Sequence, residues 1–360
     1  MARRVNDRLP YIDALKAVGA QLIVLHHLAF YGPMSDWTHR LLPDLVEWLS
    51  QDARMAVQMF LVVAGFLAAR SLAPDGTLRT ASALPLLWQR YARVALPYLA
   101  SLLVAVVCTE IARFWMTHDS LPDRPDLWQF VTHALLVHTL LDVDSLSAGV
   151  WYVAIDFQLY ALLLGMLWLV RRLRPEAASG VDGWARRVVV LVVAASLFHF
   201  NRDADWDSWA VYFFGAYGMG VLAWWVSDPA DRGRGLRLGL LVVGLCLLAL
   251  ALEWRTRIAL ALLVAVTLAW SRRAGWLHTW PRSTVLAYLS RISYSVFLLN
   301  FPVALVVNAW FNRHAPQDPW VQTLGVVLAW LACNLLGAAF HHAVEVRLGR
   351  LGRAPRPSVA

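Results

Sequence analysis

The sequence is poor in charged residues. They make up 16% of its 360 residues, whereas a typical soluble domain has about 25%. Hydrophobic residues make up 59%, and they lie in apolar runs that recur along the whole chain. The polar sequence between these runs is too short for a large soluble domain. The composition therefore predicts an all-α integral membrane protein, whose helices satisfy their own backbone polar groups within the lipid.

Cysteine is also scarce. The three cysteines, Cys108, Cys246 and Cys333, lie in separate apolar runs, and their spacing indicates neither a disulfide framework nor a metal site. The formal net charge is +8, but basic residues in a membrane protein mainly mark its cytoplasmic loops. We therefore expect contact with membrane lipid and no binding of nucleic acid.

Ten apolar segments are candidate membrane spans, and an eleventh, 127–141, is ambiguous. If 127–141 does not cross, the loops on the N-terminal side hold 23 basic and six acidic residues, against eight arginines on the other side. If it does cross, this bias is lost. The positive-inside rule therefore favours ten transmembrane helices with both termini cytoplasmic. The ten segments are 11–31, 54–71, 92–113, 149–170, 187–200, 208–226, 238–252, 258–270, 286–311 and 320–346.

This topology also defines the remaining parts of the chain. The segment 127–141 is expected to be re-entrant or to lie at the outer interface as a short helix. Residues 1–346 are expected to form a single transmembrane domain, and 347–360 a basic cytoplasmic tail. Homo-oligomerisation is compatible with the sequence.

Lysine occurs once, at Lys16, and it lies inside the first predicted span together with Asp13, His26 and His27. Ionisable groups at membrane depth are costly and usually functional. On a helix, Lys16 and His27 lie about 20° apart and Asp13 about 60° from Lys16. We therefore expect Asp13, Lys16 and His27 to share one face. A lysine whose side chain extends to the interface, with two packed histidines, is the structural alternative.

Two further spans carry charge. Arg90 and Arg93 share a helix face where the third span begins, and paired guanidinium groups suit phosphates. Asp156 lies within an otherwise apolar span, at a depth similar to that of His27 in this topology. A carboxylate commonly holds a histidine base in one tautomer, so Asp156 is a candidate partner of His27. Ordinary loop arginines, and another buried donor for Asp156, are the alternatives.

Five motifs follow one another along the chain. They are YIDALK with Lys16-x10-His27, the FLVVAGF block, Arg90-x2-Arg93 before a proline, W-x4-D-x-Q-x-Y from Trp151, and ISYSVFLL. In this order, from about Tyr11 to Glu345, they resemble the membrane-bound acyltransferase family 3. That family transfers acyl groups, usually acetyl, to surface polysaccharides, lipopolysaccharide, peptidoglycan and small molecules in bacteria.

The resemblance implies a set of roles. It implies an O-acyltransferase of the bacterial inner membrane that uses acyl-CoA, usually acetyl-CoA, as co-substrate and a glycan or glycolipid as acceptor, without a metal. The catalytic residues would be His27, Asp156 and Lys16. Acyl-CoA would be bound by Arg90, Arg93 and Lys16, and the acceptor by Asp13, Trp151, Tyr160 and Asn300.

The sequence departs from the family pattern at four positions. Lys16 replaces an arginine, Asp156 a glutamate, Ala64 a serine, and Asn300 a histidine that is often found there. Intramembrane charges also suit a proton-coupled transporter, and the four departures suit an inactive scaffold subunit of a polysaccharide export system. The ordered motifs favour the acyltransferase over both.

Overall fold

The computed structural model describes residues 8–174, 183–230 and 232–351, and within these ranges it contains helices and no strands. Residues 352–360 of the predicted tail lie outside the described residues. A π-helical turn, His341–Glu345, joins the last two helices. The helices are α1 Pro10–Phe30, α2 Pro33–His39, α3 Pro43–Gln51, α4 Ala56–Leu72, α5 Leu84–Trp115, α6 Leu127–Ala134, α7 Trp151–Leu173, α8 Trp184–Phe198, α9 Ala210–Val226, α10 Arg232–Leu252, α11 Thr256–Arg273, α12 Thr284–His314, α13 Pro319–Phe340 and α14 Val346–Leu351.

Each of the ten predicted spans corresponds to a helix. Eight helical segments among the described residues are long and apolar enough to cross a membrane, which confirms a multi-pass membrane protein. The other two predicted spans form shorter or more charged helices. Helix α9 has 17 residues, and α11 has 18 residues with three arginines at its ends. The count of ten crossings therefore stays a prediction for these two helices.

The helix ends lie on two opposite faces of the bundle. On one face, the Tyr11 ring at the start of α1 stacks on Trp280, 6.2 Å away, before α12. On the same face, Trp225 near the end of α9 donates to Ala73 O after α4, at 2.7 Å. On the other face, Gly32 N after α1 donates to Ser120 Oγ after α5, at 3.1 Å. These contacts place the starts of α1 and α12 with the ends of α4 and α9, and the end of α1 with the end of α5.

Helices α4 and α9 cross at two glycines. A Cβ atom at Gly65 would lie 1.9 Å from Tyr217 O, and one at Gly220 would lie 1.9 Å from Val62 O. Only a residue without a side chain allows the two backbones to approach this closely. The crossing fixes Tyr217 of α9 against the centre of the bundle.

The segment between α5 and α7 returns into the bundle. The Tyr91 hydroxyl in the second turn of α5 donates to Ala134 O at 2.7 Å, and Gln158 of α7 donates to Leu136 O at 3.1 Å. Helix α5 runs about 36 Å from Tyr91 to its end. Helix α6 has eight residues, too few to cross a bilayer. The segment around 127–141 is therefore re-entrant, and α7 begins within the bundle.

Candidate functional site

His27 lies near the end of α1 and is almost completely buried. Its Nδ1 contacts Asn300 Oδ1 on α12. The Asn300 Nδ2 atom donates to Phe297 O at 2.6 Å, which fixes the orientation of the amide. Because Oδ1 therefore faces the ring, Nδ1–H of His27 is the donor and the lone pair lies on Nε2. This tautomer makes Nε2 the basic atom.

The surroundings of the His27 ring are apolar and close. The Tyr31 and Phe301 rings approach it edge-on, with centroids 5.5 Å and 6.3 Å away. Gly149, at φ +82°, packs against the ring, and a Cβ atom there would lie 3.1 Å from His27 Cε1. A larger residue at position 149 would displace the imidazole, so the glycine contributes to its placement.

Asp156 on α7 forms an ion pair with Arg90 on α5. The side chains are 9% and 27% exposed, respectively, so the pair is largely removed from solvent. The Arg90 guanidinium also lies 5.3 Å from the centroid of the Tyr160 ring. Its Nε atom is buried and has no hydrogen-bond partner among the described residues.

The expected pairing of Asp156 with His27 is wrong. Gly149, which contacts His27, precedes Asp156 by seven residues, so Asp156 lies about 10 Å further along α7. The apolar pattern predicts that α7 starts at the outer surface. The re-entrant segment instead starts α7 deeper, which brings Asp156 to Arg90 and leaves Asn300 as the partner of His27.

Lys16 lies on α1, about 16 Å along the axis from His27. It is half-buried and interacts electrostatically with Asp13, Glu345 and Arg93. Asp13 accepts hydrogen bonds from Arg8 Nε and Ser290 Oγ, both at 2.8 Å. The predicted face of α1 thus divides into two levels. Asp13 and Lys16 lie near the start of the helix, and His27 lies near its end.

Aromatic residues connect these levels. Tyr152, one turn before Asp156, has its ring centroid 5.6 Å from that of Phe297, on the helix that carries Asn300. Trp151, predicted to bind the acceptor, stacks on Phe213 at 5.5 Å. Tyr160 lies beside the Arg90 guanidinium rather than beside His27.

Two polar residues of the π turn after α13, His341 and Glu345, are not among the residues predicted from the sequence. Glu345 Oε2 accepts a hydrogen bond from Ser295 Oγ at 2.5 Å and from His341 Nδ1 at 2.8 Å. His341 and Glu345 are four residues apart at the end of an apolar span, and such a pair faces one side of a helix. This spacing could have indicated that the two side chains interact.

The site therefore offers two kinds of chemistry. The buried imidazole of His27 can accept a proton, and the cations Lys16, Arg90 and Arg93 can hold an anionic co-substrate. Within the described ranges, no three His, Cys, Asp or Glu side chains come together in a metal-binding arrangement.

The model of the family described as "Acyltransferase domain" matches residues 9–338, which is nearly the whole chain. The chain belongs to the acyltransferase 3 family. No curated protein and no solved structure matches it. Membership of the family makes this multi-pass membrane protein an acyltransferase and confirms the resemblance carried by the five motifs.

Proposed function

We propose that this acyltransferase moves an acyl group, most simply acetyl, from cytoplasmic acyl-CoA to a hydroxyl group of an extracytoplasmic glycan or glycolipid. The membrane would be the bacterial inner membrane. One observation carries the proposal. The His27 ring, held by Asn300 with Nε2 as the base, lies towards one face of the bundle, and the cations Lys16 and Arg93 lie towards the other.

In the proposed reaction, Nε2 of His27 takes the proton from the acceptor hydroxyl as its oxygen attacks the thioester carbonyl. The tetrahedral intermediate collapses with cleavage of the C–S bond. The CoA thiolate leaves and takes the proton back from the imidazolium, so that an ester and free CoA are formed. Asn300 orients the ring through Nδ1–H in both protonation states.

The three cations near the proposed acyl-CoA site, Lys16, Arg90 and Arg93, would have different roles. Asp156 already neutralises Arg90, which reduces the charge that Arg90 offers to a phosphate. We therefore assign phosphate binding mainly to Lys16 and Arg93. Arg90 and Asp156 would form the polar wall along which the pantetheine arm reaches His27. Tyr152 and Tyr160 flank this wall.

The test is turnover of acetyl-CoA by purified protein in nanodiscs, with His27→Ala compared with His26→Ala. His26 is the matched control because it is also buried but donates to Leu49 O at 3.1 Å. Loss of a general base lowers the rate by about 10²- to 10⁴-fold, so His27→Ala should lose this much while His26→Ala retains most activity. Turnover at the wild-type rate in His27→Ala would refute the assignment.

The same measurement separates the competing functions. Wild-type protein that turns over no acyl-CoA but moves a solute into proteoliposomes would be a transporter. Protein that does neither would be a scaffold subunit. Mass spectrometry of surface glycans from cells with and without the chain then identifies the acceptor through the acyl groups that disappear.

A further inference from the structure

The π-helical turn His341–Glu345 alters which side chains of the last membrane helix face the bundle. A π turn widens one turn of an α-helix, and such turns are frequent at functional sites. Here His341 is 6% exposed, whereas the adjacent His342 is exposed to the surroundings. Two consecutive histidines of this turn therefore lie in opposite environments.

The buried histidine is held by a fixed carboxylate. His341 Nδ1 donates to Glu345 Oε2 at 2.8 Å, and Ser295 Oγ on α12 donates to the same oxygen at 2.5 Å. With Nδ1 engaged, the orientation of the ring is set. The Nε2 atom of His341 makes no hydrogen bond to any residue that the structure describes, so it is available to a ligand.

The neighbouring cation is Lys16. Its ammonium interacts electrostatically with Glu345, Asp13 and Arg93, yet within the described part of the chain no carboxylate lies within 4.0 Å of it. Asp13 is already paired with Arg8 at 2.8 Å. Among the described residues, Lys16 is thus a cation without a carboxylate in direct contact, and an ammonium group in this setting can bind an anion.

We propose that His341 and Lys16 together bind a phosphate group of the acyl donor, with Glu345 as the positioning residue that orients His341. The imidazolium would donate Nε2–H to a phosphate oxygen, and its charge would be stabilised by Glu345. This proposal rests on the proposed function and adds residues to its donor site. The family model matches residues 9–338, so His341 and Glu345 lie just beyond the matched residues.

The first experiment is calorimetric titration of CoA into the full-length protein in nanodiscs. His341→Ala and Lys16→Ala should each weaken binding by about tenfold or more, which corresponds to about 1.4 kcal/mol. Glu345→Gln should weaken it less, because the amide still accepts hydrogen bonds. The matched control His342→Ala should bind CoA as the wild type does.

The second experiment separates phosphate binding from structural damage. Acetyl-pantetheine carries the same thioester as acetyl-CoA but lacks the nucleotide and its phosphates. His341→Ala should raise KM for acetyl-CoA while leaving turnover of acetyl-pantetheine close to that of the wild type. A general loss of folding would lower both.

The outcomes also distinguish this proposal from the proposed function. Wild-type protein that binds CoA, together with His341→Ala that binds it equally well, overturns the phosphate role of His341 and leaves the acyltransferase assignment standing. Wild-type protein that neither binds nor turns over acyl-CoA refutes both. Equal losses on acetyl-CoA and acetyl-pantetheine in His341→Ala would make the residue structural.

Discussion

At the scale of single residues, the proposed base is oriented by an amide rather than by a carboxylate. A neutral amide accepts the Nδ1–H bond of His27 but stabilises an imidazolium less than an anion would. The structure compensates by fixing the amide through Phe297 O. In the proposed mechanism, Asn300 therefore acts through the tautomer and orientation of the ring.

Replacement of Asn300 should accordingly affect the chemical step. We expect Asn300→Ala to lower kcat by about 10- to 100-fold, below the loss of the base itself, with little change in KM for acetyl-CoA. Steady-state kinetics in nanodiscs measure both constants. Asn334→Ala is the control, because Asn334 joins α13 to Gln21 of α1 at 2.7 Å and does not contact His27. An equal fall in both variants would show a structural effect.

The pair of Arg90 and Asp156 allows a second prediction. Removal of one partner of a buried ion pair leaves an unpaired charge and costs about 3–5 kcal/mol. Asp156→Asn should therefore lower the thermal stability of the purified protein strongly. Arg90→Gln combined with Asp156→Asn should recover much of that stability without recovering activity. Stability losses that simply add in the double variant would contradict the pairing.

The sequence predicted these residues better than it predicted their partners. His27, Arg90 and Asp156 stand out because each is a polar residue in an apolar span. Which of them meet depends on the depth at which each helix begins. That depth is set by the re-entrant segment before α7, for which no local pattern gives a height in the membrane.

At the scale of helices, the crossing of α4 and α9 has a sharp steric requirement. A methyl group at Gly65 would overlap Tyr217 O and separate the helices, and overpacking of this kind costs about 1–3 kcal/mol or more. Gly65→Ala should lower the melting temperature and also activity, because Tyr217 lies within electrostatic range of Arg90 and Asp156. Gly244→Ala, with nothing within 4 Å of the added Cβ, should change neither.

The end of α6 and the segment after it carry a stacked histidine pair. The rings of His133 and His138 are 3.9 Å apart and nearly parallel, and both are fully buried. Burial, with His133 beside it, lowers the pKa of His138 to about 3, whereas an unfolded histidine titrates near pH 6.5. The unfolded segment therefore binds more protons between these two values, and the folded segment loses stability as pH falls through this window.

This titration predicts local opening in acid. Between pH 7 and pH 5 the segment should lose about 2 kcal/mol of local stability, measured as hydrogen exchange of 133–146 corrected for intrinsic rates. His138→Phe keeps the stack but cannot be protonated at position 138, so it should reduce the pH dependence; burial also lowers the pKa of His133, which keeps a smaller slope. The exposed His39 is the control position, and His39→Phe should leave the dependence intact. A slope that is unchanged in His138→Phe would assign it to another group.

Helix positions were predictable because long apolar runs must be helical in lipid. Two helical features were not. The start of α7 at Trp151 follows from the returning segment before it, and the π turn at His341–Glu345 depends on tertiary packing of the last helix against α12. Both features place polar side chains of the candidate site, and both lie beyond what the apolar pattern can specify.

At the scale of the whole molecule, the two faces of the bundle differ in charge. The face that holds the start of α1 also holds the arginine-rich ends of α7 and α11. The opposite face carries Asp203, Asp205 and Asp207, all exposed. The positive-inside rule predicts that the arginine-rich face is cytoplasmic. In the proposed function, this orientation would place Lys16 and Arg93 on the side of acyl-CoA and His27 towards the acceptor.

Cysteine labelling tests this orientation directly. In a Cys108→Ser background, Asp205→Cys should react with a membrane-impermeant maleimide in intact spheroplasts, whereas Ser82→Cys should react only after permeabilisation. Both positions are exposed, and the retained Cys246 and Cys333 are buried. Labelling of Ser82→Cys in intact spheroplasts would show that the bundle has the opposite orientation in the membrane. Lys16 and Arg93 would then face away from cytoplasmic acyl-CoA, and the direction of acyl transfer proposed for this chain would be wrong.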